Sequence, residues 1–146
     1  MKNSGGKNMR LVLDTNIFVF AFSDIPKPSC LELIEAIAAL SPKVSIHIPR
    51  TILRETRRHL NPPQFKEFVL FIHEMAQTDE DIIVPFDTGI KYEQMGLKPA
   101  DAMIGAYTEW IGADVLVSEN RHFLSRQPNL PFKVLTAEKT LKLLKK

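Results

Sequence analysis

Three acidic residues sit in this 146-residue chain beside apolar runs, where an acid is out of keeping with its neighbours. Asp14 interrupts LVLDTNIFVF, Glu55 lies within PRTILRETRRHL, and Asp101 falls near the start of KPADAMIGAYTEWIGA. A fourth polar stretch, LVSENRHF, places Ser118 and Asn120 directly after another apolar run. Carboxylates that share a crevice repel one another unless a proton or a cation offsets their charge. Magnesium or manganese, hard ions that prefer oxygen ligands, answer that repulsion. Such an ion lowers the pKa of bound water and supplies hydroxide near neutral pH, so the chemistry open to the set is metal-assisted hydrolysis. Zinc is disfavoured, because Cys30, His47, His59, His73 and His122 show no ligand spacing.

Each residue also has a plainer reading. Asp14, Thr15 and Asn16 are all good helix caps. On a helical wheel Ile52, Leu53, Thr56 and Leu60 share one side, and Glu55 falls roughly 110° from its centre, at the edge of the buried face. Its alternative is a surface pairing with Arg58 or His59 at three and four residues' separation. Ala100, Met103, Ile104, Tyr107 and Ile111 form a second stripe, with Asp101 roughly 100° from its centre. Asp101 would also suit the helix dipole in the first turn, and Gly105, one turn on, is expected to leave open space beside it. Ser118 and Asn120 alone are ordinary turn residues. Their order along the chain gives the four stretches their weight.

The elements that must position these residues are legible as an alternation. Short apolar or β-branched runs near 9–14, 43–48, 81–85, 114–118 and 132–136 predict strands. Helical periodicity fills the gaps, with start signals at Asn61-Pro62-Pro63, Lys98-Pro99 and Thr136. Alternating strands and helices imply an α/β fold, a three-layer α/β/α sandwich around a central parallel sheet of about five strands. Ligand sites in such sheets form beyond the carboxyl ends of the strands, where Asp14 and Ser118 lie. Residues 1–8 read as a flexible leader and 9–146 as one domain.

Composition narrows the function classes. A net charge of +2 is too small to announce a nucleic-acid binder by itself. No run approaches the ~18 apolar residues of a membrane span, and the polar MKNSGGKNMR is unlike a signal peptide, so a cytoplasmic protein is expected. Cys30 excludes an internal disulfide, as it is the only cysteine, and its setting in SCLELIEAIAAL is that of a buried hydrophobe. SGGK is no phosphate loop without a preceding strand, and no Ser–His–Asp arrangement follows from spacing.

LVLDTNIFV, RETRRHL and KPADAMIGAYTEWIGADVLVSENRHF, in that order, resemble the PIN-domain family of metal-dependent ribonucleases, in particular the toxins of VapBC-type toxin–antitoxin pairs. The resemblance runs from about Met9 to Phe123. It implies hydrolysis of RNA phosphodiesters by magnesium or manganese held on Asp14, Glu55 and Asp101, with Thr15 or Asn16 and Ser118 shaping the pocket floor. The family often carries Asp where this chain has Asn120, which puts a second ion in doubt, although Asn120 could offer an amide oxygen and Glu119 stands next door. Arg121 and His122 adjoin the site as candidate substrate contacts. Arg50, Arg54, Arg57 and Arg58 form either a solvated helix face or a phosphate-binding rim.

The resemblance further implies an antitoxin groove and a homodimer contact along the apolar segments between Ile17 and Leu40, which ordinary core packing also explains. FKEFVLFIHEMA places Phe65, Phe68, Val69, Ile72 and Met75 or Ala76 on one stripe and leaves Phe71 outside it. Two rivals remain. An aspartate-nucleophile phosphatase would need D-x-D, and residue 16 is Asn. A non-catalytic or stand-alone PIN-domain protein that binds or processes RNA would share the fold.

Overall fold

The structure, a computed structural model, describes residues 8–125 and 129–146. Of the leader expected over 1–8, only Asn8 falls among the described residues. The strands are β1 (Met9–Leu13), β2 (Val44–Pro49), β3 (Ala76–Asp79), β4 (Val115–Val117) and β5 (Lys133–Leu135). They form one wholly parallel sheet in the order β3-β2-β1-β4-β5. Leu11, Val12 and Leu13 of β1, and Leu116 and Val117 of β4, are completely buried. Successive strand residues point to opposite faces, so burial at consecutive positions requires cover on both sides of the sheet. The three-layer parallel α/β architecture expected from the sequence is what the chain adopts.

Helices fill the connections: α1 (Thr15–Phe22), α2 (Pro28–Leu40), α3 (Arg50–His59), α4 (Pro62–Met75), α5 (Phe86–Glu93), α6 (Pro99–Trp110), α7 (Arg121–Leu124) and α8 (Ala137–Leu144). The start signals hold. The Asn61 side chain accepts from Gln64 N (2.9 Å) while that of Gln64 accepts from Asn61 N (3.0 Å), a closed capping box ahead of Pro62. Pro99 occupies the first turn of α6, and Thr136 Oγ1 accepts from Lys139 N at the start of α8. Cys30 is fully buried, and burial pushes its thiol up to about 11, so it stays a protonated hydrophobe at neutral pH.

Three expectations are corrected. The third strand is the polar Ala76–Asp79 rather than 81–85, where Asp81–Ile83 form a single 3-10 turn with Ile82 89% exposed. A strand at the sheet edge needs a backbone ladder more than an apolar face, and β3 supplies one to β2 through pairs such as Ile48 with Thr78. On α4, Phe71 is not the outlying residue; it is half-buried against Phe22, with ring centroids 5.8 Å apart, while Val69 and Leu70 are exposed. Nor does Gly105 leave open space: a Cβ there would lie 2.7 Å from Tyr92 Cδ2, a fully buried ring. Glycine at 105 is what lets α6 approach α5. We expect Gly105→Ala to destabilise the fold by about 1–3 kcal/mol, read as a lower denaturant midpoint at unchanged m-value. No described helix is long and apolar enough to cross a membrane.

Candidate active site

The sheet order places a topological switch point between β1 and β4. From β1 the chain moves outward to β2 and β3, then returns to the other side of β1 for β4 and β5. The helices after the two central strands therefore leave in opposite directions and open a crevice at the strand ends. Leu13 pairs with Val117, and Asp14 N donates to Val117 O at 2.9 Å, so the residues after both strands meet there.

Asp14 is 4% exposed and caps α1, accepting from Thr15 N at 2.8 Å through Oδ1. Its second oxygen, Oδ2, accepts from the buried Ser118 hydroxyl at 2.7 Å. Ser118 Oγ in turn accepts from Asn120 N at 2.9 Å. Both the capping reading of Asp14 and its delivery to the crevice are thus true of one side chain. Glu55, half-buried on α3, accepts from Thr15 Oγ1 at 2.8 Å rather than forming an ion pair with Arg58 or His59. Asp101, in the first turn of α6, accepts from Asn120 Nδ2 at 3.3 Å.

These hydrogen bonds gather the three carboxylates around a cleft of about 330 Å³ lined by Asp14, Thr15, Asn16, Glu55, Asp101 and Asn120, with Val19, Phe20 and His59 completing its wall. Burial pushes the Asp14 carboxyl up from 3.8 to about 6; the charges of Asp101 and Glu55 add to the rise, and the bonds from Ser118 and Thr15 oppose it. Burial also raises Asp101, against the Asn120 bond and the nearby His122 and Lys98. The cleft is an anionic hollow in which Asp14 and Asp101 are both disfavoured as bare charges. Among the described residues, no three His, Cys, Asp or Glu side chains converge closely enough to clasp an ion directly.

The hydrogen bonds of the neighbouring candidate residues fill in detail that spacing alone does not specify. The Asn120 oxygen caps α7 by accepting from His122 N at 2.9 Å, so Asn120 turns its amide nitrogen, not its oxygen, toward Asp101. Glu119 points away: it accepts from Lys27 Nζ at 2.5 Å and from Ala137 N at 2.9 Å, tying β4 to α2 and α8. Asn16 reaches back to the Glu119 amide at 3.3 Å. His122 lies close enough to Asp101 to act on its charge, whereas Arg121 is exposed at the start of α7 and its side chain forms no ion pair among the described residues.

Of the basic residues on α3, Arg50 pairs with Glu80 and Arg54 with Asp81, while Arg57 and Arg58 are exposed without an ion pair among the described residues. Arg50, Arg54 and Arg57 border a larger hollow of about 480 Å³ with an apolar floor from α3 and α4, and it contains no carboxylate. Two residues escaped sequence reasoning in their role at the site: His59, which lines the cleft, and Lys98, which is near enough to act on the Asp101 charge. Their signal was positional: His59 follows Glu55 by one helical turn, and Lys98 precedes Asp101 by three residues.

The Ser118 bond has a testable consequence. A hydrogen bond to a buried ionised group is worth about 1.5–3 kcal/mol, so Ser118→Ala should lower stability by about that amount at pH 7. Its effect should shrink at pH 4, where Asp14 is protonated in the native state. Chemical denaturation at the two pH values reads the difference.

No protein-family model matches this sequence, and no curated protein matches it. Structural similarity is clear nonetheless. A chain of the VapBC2 complex from Rickettsia felis, solved bound to a DNA fragment from its promoter, superposes with a TM-score of 0.61 at 21% identity, over 86% of this chain and 97% of that one. A chain of FitAcB from Neisseria gonorrhoeae gives 0.58 at 12% identity, over 87% and 97%. At such identities the likeness is one of fold.

Proposed function

We propose that this chain, whose fold is PIN-like, is a magnesium- or manganese-dependent endoribonuclease and the toxin of a type II toxin–antitoxin pair. The observation that carries the reading is the meeting of Asp14, Glu55 and Asp101, from three separate elements, in one cleft at the β1/β4 switch point. The donor set is all oxygen, which suits a hard cation, and the mutual repulsion that lifts Asp14 is what a cation would relieve. Magnesium keeps several waters and needs only one or two carboxylates directly, which accords with acids that line the cleft without closing on a point. Asp14, Asp101 and Glu55 would hold the ion, directly or through water. When bound, the ion supplies a metal-activated water and charge stabilisation at the phosphate.

The protein's own groups do the rest. Thr15 and Ser118 fix the orientation of Glu55 and Asp14 through their hydroxyls. Asn120 holds Asp101 through its amide, a positioning role that brings no negative charge to the site. Asn16, engaged at the Glu119 amide, closes the pocket floor. Arg121, His122 and the exposed Arg57 and Arg58 would meet RNA phosphates, and a phosphoaspartate route is disfavoured because residue 16 is Asn where D-x-D would need a second acid.

The two structural neighbours are complexes of two named components. By analogy an antitoxin would cover this chain, a homodimer would form, and the activity would belong to the cytoplasm. A second reading, a non-catalytic or stand-alone PIN-domain protein that binds or processes RNA, draws on the absence among described residues of a closed metal cluster. The test is cleavage of a mixed pool of structured and single-stranded RNAs with manganese or magnesium against chelator. Metal-dependent cutting supports the nuclease; RNA binding without cutting, and without metal binding, supports the second reading. A small acidic, DNA-binding reading frame immediately upstream would support the toxin assignment.

A further inference from the structure

Hydrolysis of a phosphodiester requires a proton for the ester oxygen that leaves, and the carboxylates of the cleft, deprotonated when they hold the ion, are not the groups to give one. Both oxygens of Asp14 already accept hydrogen bonds, Glu55 accepts from Thr15 and Asp101 accepts from Asn120. Val19 and Phe20 carry no exchangeable proton, and hydroxyl or amide groups such as Thr15, Asn16 and Asn120 are not acids at neutral pH. His59 is the remaining side chain on the cleft wall. It stands at the last position of α3, one turn beyond Glu55, at the carbonyl end of the helix. Its ring is exposed and has no hydrogen-bond or ion-pair partner among the described residues. An imidazole that is exposed and unengaged is suited to meet a phosphate and release a proton.

We propose that His59 is the proton donor to the leaving oxygen, an assignment that rests on the reading of the cleft as a hydrolytic site. In the step, the oxygen of water forms a bond to phosphorus and the water's proton passes to solvent. The bond from phosphorus to the departing ribose oxygen breaks, and that oxygen takes the proton from His59 Nδ1 or Nε2. The imidazole then regains a proton from solvent, so no electrons are exchanged and no further reactant is needed.

The experiment uses the full chain with manganese and a short RNA whose cut site and product ends have been mapped. Under single-turnover conditions His59→Ala should lower the cleavage rate by about 10²–10⁴-fold. Binding of the same RNA in chelator, followed by fluorescence anisotropy, should be unchanged, as should thermal unfolding. The decisive arm replaces the leaving bridging oxygen by sulfur, whose thiolate departs without a proton. On that substrate wild type and His59→Ala should cut at rates within about threefold. An equal loss on both substrates, or a loss in binding alone, would make His59 a phosphate clamp and overturn the proton-donor role. Full activity of His59→Ala on native RNA would overturn it as well while leaving the nuclease reading intact. Failure of wild type to cut any RNA with either metal overturns the hydrolytic reading, and this role with it.

Discussion

Asp101→Asn and Asp14→Asn should each reduce metal-dependent RNA cleavage by about 10²–10³-fold or more. Charge stabilisation by a metal at a phosphoryl centre is worth several kcal/mol, and each 1.36 kcal/mol is tenfold in rate. Asparagine keeps the size of the side chain but removes the charge that would hold the ion. Asp101 offers the cleaner comparison. It is half-buried, has Asn120 as its one side-chain hydrogen-bond partner among the described residues and does not cap its helix, so the variant should fold as wild type does. Cleavage of the mapped RNA with manganese measures the loss, and binding of that RNA in chelator should be retained or strengthened as a negative charge leaves the cleft. Wild-type rates in both variants would move the chemistry out of this cleft and favour the RNA-binding reading.

The parts of this arrangement that were legible in the sequence are those governed by local rules. Four of the five strands are apolar because they are buried on one or both faces, and they fall where the apolar runs predict. The capping box at Asn61 and the prolines at 62 and 99 mark helix starts by chemistry that needs no tertiary context. The third strand was not legible, because a polar edge strand is defined by its partner's ladder and Ala76–Asp79 has no pattern of its own. The apolar Ile82 and Ile83 next to it drew the expectation away, although one is almost fully exposed.

At the site, the sequence placed the acids beside the core but could not say what each would bond. The Thr15 hydroxyl, not a neighbouring cation on α3, engages Glu55, since α1 and α3 pack together across a separation of 40 residues. Asn120 spends its oxygen on a helix cap and its nitrogen on Asp101, a division set by the turn after β4. Gly105 was misread for a related reason. A missing side chain signals either room for a ligand or a close approach, and only the position of Tyr92 decides between them.

Asp14→Asn should stabilise the metal-free protein even as it removes activity. The native carboxyl is raised from 3.8 to about 6, mainly by burial, so the folded state prefers it protonated. Below pH 3.8 the acid is protonated in both folded and unfolded chains and has no net effect. As the pH rises the unfolded chain loses its proton first, and stability falls until the native group ionises near pH 6. Above that pH the cost is constant at about 3 kcal/mol, given 1.36 kcal/mol for each of roughly two pK units. Asparagine escapes this cost but loses one acceptor for the Ser118 hydroxyl, which returns about 1 kcal/mol or more. In chelator the variant should therefore melt above wild type at pH 7, by several degrees, and near or below it at pH 4. Adding manganese should raise the melting temperature of wild type at pH 7 and leave Asp14→Asn nearly unmoved, because an ion that binds only the folded, ionised site stabilises by mass action. A variant that melts below wild type at both pH values would mean that the Ser118 bond outweighs the burial of charge at Asp14. Equal shifts with manganese in both proteins would place the ion elsewhere.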